Sequence, residues 1–101
     1  MADAGGKASP ICMFERKFRV EGLRDKILLQ IFEASLEDGD WICAYRLDIP
    51  GVDQPVCVSI AGADKLQSVT KAIRRIVFDL ALIAERLGRK VTWLGEGVAL
   101  I

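Results

Sequence analysis

One segment limits what this chain can fold into more than any other: the stretch from Asp64 to Gly88. Asp64 has the side chain of a helix N-cap, and Gln67 follows three residues later as its capping-box partner. Gly88 supplies the left-handed stop, and Arg86, Arg89 and Lys90 sit where the negative end of the helix dipole favours cations. Between these marks the spacing predicts a helix over about 65–87. At 100° per residue, Leu66, Val69, Ile73, Ile76, Val77, Leu80, Ile83, Ala84 and Leu87 share one broad face. A face that wide needs a sheet beneath it, so the other elements must supply one.

The remaining sequence reads as strands. Ile11 to Val20 puts Phe14, Phe18 and Val20 on one side and Glu15, Lys17 and Arg19 on the other. Arg16 interrupts the apolar side, which points to an edge or bulged strand. Ile27 to Ala34 is apolar on both sides, as in a central strand. Glu37-Asp-Gly-Asp40 is a turn, and Trp41 to Ile49 follows, with Trp41, Cys43, Tyr45 and Leu47 on one face. Pro50-Gly51 stops that strand, and Val56 to Ile60 is the next.

Four consecutive strands with short links make an antiparallel meander, and the helix covers one face of it. The expected class is therefore α+β, a two-layer sandwich of four strands and one helix. Val91 to Leu94 reads as a short strand or an extended tail. Residues 1–10 read as a flexible tail, and 11–101 as a single domain. The apolar finish Val98-Ala-Leu-Ile101 is expected to dock on its own sheet or on a partner.

Composition narrows the function classes. Acidic and basic residues number 14 each, where a nucleic-acid binder would carry a basic excess. No apolar run is long enough to span a bilayer, and the N-terminus lacks the apolar core of a secretory signal. Cys12, Cys43 and Cys57 are an odd, sparse set without a C-x-x-C pair. They read as buried structural thiols in a reducing cytoplasm rather than as a disulfide framework or a zinc site.

There is no histidine, which removes the commonest general base and the usual partner of a nucleophilic serine or cysteine. The expectation is a non-catalytic chain with no cofactor and no metal. Glu37, Asp38 and Asp40 form an acidic cluster without the spacing of a calcium loop, so a solvated turn is the simpler reading. Gly95 and Gly97 lack the following helix that a phosphate loop needs. Lys71, Arg74, Arg75, Arg86, Arg89 and Lys90 make the helix segment basic. Phe78 is the sole aromatic there for a base to stack on, so a solvated face is preferred over a nucleic-acid surface. Trp41, Cys43 and Tyr45, at i, i+2 and i+4, read as core under the helix.

Three groups of residues together resemble a known family. They are Trp41-Ile-Cys-Ala-Tyr45, the helix start Gly62-Ala-Asp-Lys-Leu-Gln67, and Ala72-Ile73-Arg74. The chain is similar over about 27–87 to a family of short uncharacterised bacterial proteins of about a hundred residues. The resemblance implies a bacterial, cytoplasmic setting and carries no activity and no site residue with it. The usual Gly-Phe-Pro-like finish of that family appears here as Gly97-Val-Ala-Leu.

The leading expectation is a small protein-interaction domain that self-associates, as a homodimer. Phe78 and Leu82, at i and i+4 on the polar side of the helix, are one candidate surface. Leu28, Phe32 and Ile42, on the sheet face away from the helix, are the other, with Ala44 beside them. The alternatives are an immunity-type protein that binds a toxin through Glu37, Asp38 and Asp40, and a small-ligand domain with a pocket between helix and sheet beside Trp41 and Tyr45.

Overall fold

The computed structural model describes residues 11–93 and 96–97. In chain order it shows β1 (Cys12–Val20), β2 (Ile27–Phe32), β3 (Ser35–Glu37), β4 (Asp40–Asp48), β5 (Val56–Gly62), α1 (Lys65–Leu87), β6 (Val91–Trp93) and β7 (Glu96–Gly97). The expectations for residues 1–10 and for Val98 to Ile101 lie outside the described residues.

The α+β class and the meander are as expected. β1, β2, β4 and β5 are successive antiparallel neighbours. Among the described residues the sheet has seven strands: the four expected, the short strand expected from Val91, and two that were not expected, β3 and β7. β6 pairs antiparallel with β1 on the far side, and β7 pairs with β6. β3 follows β2 after a break at Glu33-Ala34 and pairs with the start of β4. Both central residues of the turn between them have positive φ, 50° at Asp38 and 89° at Gly39. This is the twist that a two-residue hairpin requires. β1 is an interior strand rather than an edge, and its irregularity lies between Cys12 and Phe14. The side chain of Arg16 stays on the apolar face by stacking its guanidinium 4.6 Å from the centre of the Phe14 ring.

Alternation sorts the sheet into two faces. Phe18, Val20, Ile27, Leu29, Ile31, Cys43, Tyr45 and Leu47 are buried on the inner face. The helix stands over β4 and β5 on that side and runs along β4: Lys65 lies over the Trp41 ring at one end, and Ile83 and Leu87 lie near Ile49 at the other. Its ends match the sequence. The Asp64 side chain accepts from the Gln67 backbone N–H at 2.7 Å, and the helix ends at Gly88. The Gln67 side chain in turn accepts from the Ala63 backbone N–H at 2.7 Å.

The helix face is rotated and shifted from the expected one. Its fully buried line is Ser68, Ala72, Ile76 and Leu80, flanked by Val69, Ile73, Ile83, Ala84 and Leu87. Leu66, expected to face the sheet, is 76% exposed, and Val77 is only half-buried. Counting large apolar residues favours Leu66, whereas the buried line starts with two small residues. The reason lies at Gly62, the last residue of β5. A Cβ there would meet the Ser68 backbone nitrogen at 2.5 Å and its Cα at 2.8 Å. The first turn of the helix rests on the strand's backbone, a contact that Ser68 and Ala72 permit and larger side chains would wedge apart. Leu66 lies on the flank of that turn, with no described element below it.

These two placements predict opposite outcomes for one substitution. Leu80→Asp buries an unpaired charge, which costs several kcal/mol of a total near 5–15 kcal/mol and should leave the domain unfolded. Leu66→Asp should be neutral or slightly stabilising, because it puts a carboxylate in a first turn that has no acidic residue. Thermal unfolding followed by circular dichroism checks both. Equal losses would show that the helix face is misassigned.

Candidate functional site

β4 and the second half of α1 meet at one polar contact within the core. Tyr45 is 1% exposed and occupies an inner-face position between Ile31 and Val58 on the neighbouring strands. A tyrosine hydroxyl buried this far needs an acceptor. It donates to Asp79 Oδ2 on the helix. The other carboxylate oxygen, Oδ1, accepts from Arg75 Nε at 3.1 Å, one helical turn earlier. Both oxygens of Asp79 are thus engaged, one by the sheet and one by the helix surface. Burial, then donation to Asp79 and its negative charge, pushes the Tyr45 phenol well above its usual range, while Arg75 opposes the shift. The group stays protonated and acts as a donor that pins helix to strand.

Beside this contact a cleft of about 400 Å³ opens between the helix and the link from β4 to β5. Its walls are Ile49, Val52 and Val56 on the sheet side and Asp79, Leu82, Ile83, Arg86 and Leu87 on the helix. The link folds over the cleft by a tight turn. Val52 N–H donates to the Ile49 carbonyl at 3.1 Å, with Pro50 and then Gly51 (φ 81°) at the two central positions, the pattern of a type II turn. The volume is within the range of small-ligand pockets. The cleft lies toward the C-terminal end of the helix, whereas the sequence reading placed a pocket beside Trp41 and Tyr45. Trp41 is half-buried under Lys65 at the other end, so that placement is corrected for Trp41, while Tyr45 adjoins the cleft through its partner Asp79.

Residues 14–100 match the family described as a domain of unknown function (DUF6968). The chain belongs to this family. The match covers more of the chain than the 27–87 over which the sequence shows its resemblance. No curated protein and no solved structure matches.

The DUF6968 chain distributes the candidate residues unevenly. Phe78 is on the helix surface and 61% exposed, but Leu82 is half-buried and forms part of the cleft wall, so the pair is not one open patch. Leu28, Phe32 and Ile42 are on the outer sheet face and half-buried. They do not form a continuous surface either. Leu28 is opposite Asp48 and Lys17, and a polar row separates it from Phe32, Ile42 and Ala44. In that row Gln30 donates to Glu15 at 3.2 Å, and Arg46 pairs with Asp48 at 3.1 Å. In the acidic turn, Ser35 Oγ donates to Glu37 at 3.0 Å, and Asp38 and Asp40 are exposed. Of the three cysteines only Cys43 is buried, and burial raises its pKa. Cys12 and Cys57 are exposed, which corrects the expectation of three buried thiols.

Asp79 was missed by sequence reasoning. A tyrosine on the core face of a strand implies a buried acceptor, and an aspartate four residues after an arginine on the covering helix is a natural one.

Tyr45 sets a testable pH dependence. The unfolded phenol titrates near its usual value of 10.0. The folded value is higher, so the unfolded state loses its proton first as pH rises. The stabilisation is complete below about pH 10 and is lost as pH climbs from there toward the folded value. Tyr45→Phe should therefore cost about 1–3 kcal/mol at neutral pH, and its deficit relative to the native chain should shrink above about pH 10. Denaturant melts at several pH values measure this, and a deficit that does not change with pH would contradict it.

Proposed function

We propose that this domain is a self-associating protein-interaction module that works as a homodimer. The observation that carries the reading is Phe78. A large aromatic side chain 61% open to solvent, in a chain that buries Tyr45 and Phe18 completely, is left uncovered by the described residues of its own fold. Lys71, Arg74, Arg75, Glu85 and Arg86 lie around it on the helix and are all exposed, an arrangement of one apolar anchor within a charged rim. The outer sheet face is the weaker candidate because the polar row divides its apolar residues into two parts.

Light scattering at high micromolar concentration tests the reading. The native chain should have the mass of two chains. Phe78→Glu should reduce it to one, whereas Phe32→Glu with Ile42→Lys on the outer face should leave the dimer intact. A native mass of one chain would overturn the reading.

A further inference from the structure

β5 is an open edge. Among the described residues it pairs only with β4. Its seven residues, Val56-Cys-Val-Ser-Ile-Ala-Gly62, contain no charge and no proline, and three of them are β-branched. Natural sheet edges are normally shortened, bulged or guarded by charge. β3 is only three residues long and ends in Glu37, and β7 has two residues. Here the guard is limited to one end: Lys71 Nζ lies 3.5 Å from the carbonyl of Ala61. The exposed side chains, Cys57, Ser59 and Ala61, are small.

We infer that β5 is the seam of the dimer and pairs antiparallel with β5 of a second copy about a twofold axis at Ser59. This rests on the self-association proposed above and supplies its geometry. The strand is complementary to itself in that register. Ser59 falls opposite Ser59 of the second copy, and Val58 opposite Ile60 on the inner face. Cys57 falls opposite Ala61 on the outer face. Apolar meets β-branched and small meets small, and along the strand itself no like charges are opposed.

The helices support the same occupant. α1 stands over β4 and β5. With strands about 4.8 Å apart, the twofold brings the two helices to about 10 Å, a distance at which helices pack. Lys71 and the cleft-lining Leu82 and Arg86 identify the helix flank nearest β5, and Leu82 is 60° from Asp79 on the helix wheel by the 100° rule. Phe78 is about 40° beyond Leu82 by the same rule and about 160° from the buried Ile76, so the exposed aromatic stands at the outer margin of that flank, pointing away from the sheet. The strand pairing is then the centre of the isologous interface, and Phe78 borders it at the rim.

Charge swapping at Ser59 tests the seam on the full chain. Ser59 is exposed on the outer face, so Ser59→Lys and Ser59→Asp should each fold with a near-native melt. Each alone opposes like charges across the twofold and should weaken the dimer about tenfold or more by light scattering. An equimolar mixture opposes Lys to Asp and should restore a heterodimer. A dimer that survives both single variants but is lost in Phe78→Glu would overturn the β5 seam and leave self-association standing. A native chain that is monomeric at high micromolar concentration would overturn both.

Discussion

The contact between Gly62 and Ser68 sets the position of everything above the sheet. It places strand backbone directly against helix backbone, with no side chain between them. From that point Ala72, Ile76 and Leu80 descend one turn at a time onto the inner face, and the side chains grow larger as the helix continues toward its C-terminal end. A helix seated this way is fixed in both rotation and height. Asp79 comes within reach of Tyr45, and the cleft opens on the same side as β5.

Tyr45 and Asp79 form the second attachment. A hydrogen bond from a buried phenol to a carboxylate is directional in a way that aliphatic packing is not. The first attachment sets how close the helix lies, and the second sets where along the sheet it sits. The two together leave Phe78 on the outward flank, 61% exposed among the described residues.

Local signals made much of this fold legible. Asp64, Gln67 and Gly88 mark the helix ends through backbone hydrogen bonds, and alternation marks β1, β2, β4 and β5, because both depend on neighbouring residues alone. The face of the helix was less legible. Leu66 counts toward an apolar stripe, yet the helix rests on Ser68 and Ala72, and the need for small residues there comes from Gly62 on another element. Ser35–Glu37 is too short a run to announce a strand, and it pairs because Asp38-Gly39 turns it back onto β4. The cleft depends on a link folding against a helix some thirty residues away in sequence, so no single segment encodes it. Phe78 was legible as an exposed aromatic. Its place at the margin of the flank nearest an uncharged edge strand needed the three-dimensional arrangement.

The thermal stability of Gly62→Ala shows whether the strand–helix backbone contact governs the fold. Gly62 does not have a positive φ, so alanine fits its backbone conformation. By chain entropy alone the substitution should stabilise the protein by about 0.4–1 kcal/mol. Against the Ser68 backbone the added methyl must push helix and strand apart, at about 1–3 kcal/mol. The melting temperature should fall by several degrees, at about 4–8 °C per kcal/mol for a domain of this size. A melting temperature that is unchanged or raised would contradict that role of the contact.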